Sequence, residues 1–190
     1  MPQANVREQI LDGALEIFHT QGYNGASVDD IVRAARVPKG SFYNHFASKE
    51  ALGAEVARRY AAAVRTDMLT TPGKSPLARI RAHLEYFVER NAAWGVDRGC
   101  VLGNFATELA SQSEVITDAV RESYDAWTKH LASVIKEART AGDLPKKTNP
   151  TALAGYLIDS LQGATARAKI EGSRAPLDEF LAITFSTVLR

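Results

Sequence analysis

The stretch Ser27-Val-Asp-Asp-Ile-Val-Arg-Ala-Ala-Arg-Val-Pro-Lys-Gly-Ser-Phe-Tyr-Asn-His-Phe-Ala-Ser-Lys49 decides how the 190-residue chain is read. It predicts two short helices joined by a tight turn. Ser27 stands where an N-cap belongs, with Asp30 three residues on as a short-armed capping-box partner. Val28, Ile31, Val32 and Ala35 then recur on one helical face. Pro38 suits the first turn of a second helix, where its missing N–H is no loss. That helix carries Lys39, Gly40, Ser41, Tyr43, Asn44 and His45 toward Phe46, a density of small, polar and aromatic groups fit for phosphates and base edges. From residue 31 to residue 49 the charged side chains are Arg33, Arg36, Lys39 and Lys49, with no acid among them. Such a stripe is the electrostatic footprint of a polyanion partner, and double-stranded DNA is the expected one.

Outward from this segment the whole chain has helical periodicity, and no convincing alternating strand is found. The expectation is an all-α protein of about nine helices. Helix 1 is expected over residues 5–20, with Val6, Ile10, Ala14, Ile17 and Phe18 on one stripe and Gly22 ending it. Helix 4 is expected from the cap Ser48 to about residue 69. Thr70-Thr71-Pro72-Gly73-Lys74 is a breaker cluster and the best domain joint. Ser75 and Ser113 are read as caps of later helices, Asn149-Pro150 opens the eighth, and Pro176 opens the last. The domains are set at residues 5–50, extending into helix 4 to about 66, and 70–190.

Composition narrows the classes. A hydrophobic fraction of 45% excludes wholesale disorder, and a net charge of +1 places the polyanion argument on the local stripe alone. No run reaches the ~18 apolar residues of a membrane span, and Met1-Pro-Gln-Ala-Asn-Val-Arg-Glu-Gln9 has no signal-peptide core, so a cytoplasmic protein without a membrane partner is expected. The single cysteine, Cys100, excludes an internal disulfide, and four scattered histidines offer no metal cluster. Neither a metal nor a cofactor is expected.

The run VREQILDGALEIFHTQGYNGASVDDI and its continuation KGSFYNHFASKEAL resemble the tetracycline-repressor (TetR) family of transcription regulators. Gly22-Tyr23, Ser27, Ile31, Ala34-Ala35, Lys39-Gly40, Tyr43, His45-Phe46 and Lys49-Glu50 match that family's pattern over about the first third of the chain. One departure is Arg36, where the family usually has glycine. A side chain there must reshape the turn or accept a left-handed backbone, at a cost of about 1 kcal/mol.

The resemblance implies an N-terminal three-helix helix-turn-helix domain and a C-terminal helical domain for ligand binding and dimerisation. It implies a repressor released from a palindromic operator by a small-molecule effector, and no enzymatic activity. Phe18, Ile31, Phe42 and Phe46 are the expected reading-head core. Ser27, Lys39, Gly40, Ser41, Tyr43, Asn44, His45 and Lys49 are the expected DNA contacts. Lys39 and Gly40 stand where a helix N-terminus favours phosphate, and Lys49 is read as a phosphate anchor. Tyr43 reads either as a half-buried core residue or as a phosphate-binding phenol.

A single helix-turn-helix reads few base pairs, so a homodimer is expected. Its face is placed in the last two helices at Leu157, Leu161, Phe180 and Phe185. The resemblance also implies an effector pocket, for which Phe87, Trp94, Cys100, Phe105, Tyr124, Trp127 and His130 are candidates, although aromatics at helical spacing also fill cores. Around Cys100, RGCVLGNFATELA resembles the electrophile- and multidrug-responsive AcrR/NemR-like subgroup; a small buried hydrophobe is the plainer reading of this thiol. Two other classes compete: an enzyme with Cys100 as nucleophile and His83 or His130 as base, and a helical protein–protein adaptor.

Overall fold

A computed structural model describes residues 5–190. The first four residues of the segment read for a signal peptide lie outside the described residues. Nine α-helices run in order among those described, with no strand. They are α1 (Val6–Gly25), α2 (Val28–Ala34), α3 (Gly40–Tyr43), α4 (Lys49–Ala62), α5 (Pro76–Trp94), α6 (Val101–Leu109), α7 (Glu114–Ala141), α8 (Pro150–Glu171) and α9 (Ala175–Ile183). None is long and apolar enough to cross a membrane.

The helix ends follow the local chemistry. Ser27 and Asp30 close a full capping box on α2. The Ser75 hydroxyl accepts from the Ala78 N–H, and Asn149 accepts from Thr151 and Ala152 ahead of Pro150. Gly22 breaks α1 at φ 73°, ψ 175°, but one more helical turn follows before Ala26. Helix 4 is shorter than expected. It stops at Ala62, and Arg65 at φ 60° sends the chain into a 3-10 turn over Thr66–Thr70.

Two compact units result. One holds the described residues up to Ala61 together with Val101–Ser123; the other holds Ala62–Cys100 and Tyr124–Arg190. By packing, α6 and the first part of α7, which lie beyond the expected joint near residue 70, group with the N-terminal helices. Phe105 of α6 explains this, because its ring meets Phe18 edge-on at 5.5 Å and Tyr23 at 6.0 Å. Around them Ile10, Leu11, Ile31, Phe42, Leu52 and Val56 are buried. Gly13 lets α1 and α2 cross closely: a Cβ there would lie 2.8 Å from the Ala35 nitrogen and 2.9 Å from the Ile31 oxygen. The second unit has its own core, in which Ile80, Leu84, Phe87, Leu131, Leu157 and Leu161 are buried.

Candidate nucleic-acid interface

The reading surface is one short turn of helix resting on aromatic core. Phe42 is fully buried and Phe46 nearly so, with their rings 5.9 Å apart. Between them the chain turns Tyr43, Asn44 and His45 outward. Tyr43 is 63% exposed, which removes the core reading and leaves its phenol facing solvent. Gly40 and Lys39 are exposed beside it, with Ser41 half-buried. α3 spans four residues, too short to build the dipole on which the N-terminal phosphate argument at Lys39 and Gly40 relied.

The basic stripe is less free than its sequence suggests. Lys39 pairs with Asp29 at 2.7 Å, and Arg33 lies 3.3 Å from Asp30. Asp29 holds the Lys39 ammonium above the ordinary lysine value, through its hydrogen bond and its charge. Arg36 is exposed and has no acidic partner among the described residues. Its φ of 56° is the left-handed backbone that the missing glycine implied. Lys49 is turned inward and does not present itself as a phosphate anchor. Its ammonium donates to the Tyr23 carbonyl at 3.0 Å and the Ala26 carbonyl at 2.9 Å. It also lies 4.1 Å from the centre of the Tyr23 ring. Partial burial lowers its pKa, opposed by the charge of Glu108.

In the second unit a cleft of about 390 Å³ opens between α7 and α8, lined by Tyr124, Thr128, Gly155, Ile158, Asp159 and Gln162. Of the expected pocket residues only Tyr124 lines it. Burial, then the charges of Cys100 and Asp159, push the Tyr124 phenol up. Cys100 is buried nearby, its Sγ 3.6 Å from the Nε2 of Gln162. The other expected pocket residues lie outside this cleft. Phe105 belongs to the core of the first unit. Phe87 stacks on Trp127 at 5.5 Å, Trp94 lies under the Arg90 guanidinium at 4.9 Å, and His130 is exposed. The Trp127 indole N–H donates to His83 Nε2 at 2.8 Å, so His83 serves the core and is no base for Cys100. Thr128, Asp159 and Gln162 were missed; their only signal is a polar stripe at helical spacing.

The expected dimer residues also need correction. Leu157 and Leu161 are fully buried inside the protomer, and Phe185 lies beneath the Arg81 guanidinium at 3.9 Å, whereas Phe180, though largely buried, lines an outward groove. This groove, of about 220 Å³ on α8 and α9, is lined by Phe180 together with Tyr156, Ser160, Ala164, Arg167 and Ile183, among others. Tyr156 and Ile183 are exposed large hydrophobics.

A capped α2, a left-handed turn and an outward α3 on a three-helix core define a helix-turn-helix protein of the DNA-binding regulator class. Residues 10–56 match the N-terminal model of the tetR family of bacterial regulatory proteins, and residues 76–184 match a tetracyclin repressor-like C-terminal domain. The transcriptional repressor DhaR of Mycobacterium sp. (strain GP1) is 35% identical over 189 residues, covering 100% of this chain and 95% of its own. A crystal structure of regulatory protein TetR from Rhodobacter sphaeroides superposes with a TM-score of 0.86 at 31% identity, covering 92% of this chain and 94% of its own. The reduced form of E. coli NemR gives 0.83 at 28%, covering 93% of each chain. The chain belongs to the TetR family; it is a transcriptional regulator and not an enzyme.

Proposed function

We propose that this regulator is a cytoplasmic repressor that binds a palindromic operator as a homodimer and is released by a small-molecule effector. In this reading residues 5–50 contact DNA, and residues 70–190 hold effector and partner. The observation that carries it is the α3 surface. Tyr43, Asn44 and His45 face solvent on a base fixed by Phe42 and Phe46. Short polar groups held rigidly over a core suit base edges, while the Tyr43 phenol, Ser27 and Arg36 suit phosphates. Lys39 joins them on leaving Asp29. The repressor relatives favour repression over activation. An effector of the cleft beside Tyr124 lowers operator affinity only by preferring the DNA-incompetent arrangement.

Fluorescence anisotropy with duplexes selected from a randomised pool tests DNA binding; failure to select any sequence would overturn the reading. The second copy is assigned to the groove of α8 and α9, where Ile183 is 56% exposed. Ile183→Glu is expected to give folded monomers by sedimentation, since the new charge harms only an association. Leu161→Glu is expected to unfold the chain. A dimeric Ile183→Glu protein would remove the interface from this groove.

A further inference from the structure

The turn before α2 is gripped from both sides by residues that sequence reasoning left idle or misplaced. Glu108, next to the last residue of α6, accepts the Tyr23 N–H at 3.0 Å and the Asn24 N–H at 3.1 Å through one carboxylate oxygen. Lys49, the first residue of α4, holds the carbonyls of Tyr23 and Ala26 and the Tyr23 ring. Gly22 makes the approach possible: a Cβ there would lie 2.4 Å from the Glu108 carboxylate. The next residue is Ser27, the cap of α2. A carboxylate on the amides and an ammonium on the carbonyls are charge-assisted bonds, stronger than neutral ones.

We propose that Glu108 and Lys49 are positioning residues for DNA binding, holding the Gly22–Ala26 turn and thereby fixing the attitude at which α2 and α3 meet the duplex. This rests on the DNA-binding reading above. Neither residue touches DNA in this role. Loosening the turn spreads α2 and α3 over more orientations, and the apparent Kd rises by the inverse of the competent fraction. Base preference and salt dependence stay as they were, because no phosphate contact is lost.

The test compares Glu108→Ala, Glu108→Gln and Lys49→Met with the unsubstituted protein, on a duplex that the unsubstituted protein selects from a randomised pool. Affinity is measured at several salt concentrations, well below each variant's melting temperature, and amide exchange is followed at Tyr23 and Asn24. Glu108→Ala is expected to weaken binding about tenfold or more, with an unchanged salt slope and faster exchange at those two amides. Glu108→Gln keeps an acceptor oxygen without the charge, so an intermediate loss is expected, and it carries the test if the alanine variant does not fold. Lys49→Met is expected to weaken binding without changing the slope. A folded Glu108 variant of unchanged affinity would overturn the proposal. So would a Lys49→Met slope reduced by about one, the mark of a lost phosphate contact. Failure of the unsubstituted protein to select any duplex would overturn the DNA-binding reading, and the positioning role with it.

Discussion

The two turns that flank α2 are built in opposite ways. The turn before it, Gly22–Ala26, is pinned by side chains from α4 and α6. The turn after it is held by its own backbone, with Arg36 N–H on the Arg33 carbonyl at 3.1 Å and Val37 N–H on the Val32 carbonyl at 3.0 Å. Fixing α2 from behind leaves its forward side, among the described residues, with few intramolecular side-chain bonds beyond the Ser27–Asp30 cap and the exposed pairs of Asp29 and Asp30. A reading surface needs that clearance, since a polar group already bonded inside the chain has less to offer a duplex.

The largest effect should come from the core that supports the forward turn. Phe42→Ala empties a fully buried site and is expected to cost about 3–5 kcal/mol in denaturant unfolding, disordering α3 first. The neighbouring Tyr43→Phe should leave stability nearly unchanged and weaken DNA binding; a stability loss matching that of Phe42→Ala would mean that the forward surface is core after all.

Acid should strike elsewhere. His83 is buried in the second unit, with Nδ1 3.3 Å from the Arg65 carbonyl and Nε2 accepting from Trp127. Both nitrogens are satisfied by the neutral ring, and burial pushes its pKa down from 6.5 to about 4. The unfolded chain binds this proton more readily, so stability is complete above pH 6.5 and falls as pH drops toward 4. The loss is about 3 kcal/mol. His83→Gln should flatten that stretch of the pH–stability curve, while amide exchange at Tyr23 and Asn24 follows the wild-type pH trend.

The rear turn should be less tolerant than the forward one of a change at its left-handed residue. Gly22→Ala combines φ 73° with displacement of Glu108, and a loss of about 1–2 kcal/mol in thermal unfolding is expected. Arg36→Gly, at φ 56°, should instead gain a few tenths of a kcal/mol, up to about 1, while reducing the salt slope of DNA binding. Opposite signs at two left-handed positions would confirm that one turn is filled by its surroundings and the other is open. A loss at both would erase the contrast.

Which features were legible in the sequence follows from their range. Ser27 and Asp30, the strain at Arg36, the cap at Ser75, the helix start at Asn149-Pro150, and the core residues Phe18, Ile31, Phe42 and Phe46 depend on neighbours a few positions away or on helical period. The Glu108 bonds span 84 and 85 residues and leave no periodic trace. Lys49 looked like an anchor because spacing gives its position but not its direction. Leu157 and Leu161 looked like an interface because a chain read alone does not reveal which apolar stripe of α8 its own core covers. The aromatic stripe shows the same ambiguity: Phe87 and Trp127 pack on each other, and apart from Tyr124 the cleft is lined by residues with no aromatic signature.

The pair between Lys39 and Asp29 has a consequence for how the protein meets changing ionic strength. Lys39 travels with a resident counterion 2.7 Å away. When a phosphate takes the ammonium, DNA gives up a cation but Asp29 gains one from solution, so the net release at this contact is smaller than for a bare lysine. Affinity should then fall less steeply with salt than the number of phosphates touched would imply. If Lys39 meets a phosphate as proposed, the exchange would act as an ionic buffer, steadying DNA occupancy while the surrounding salt varies.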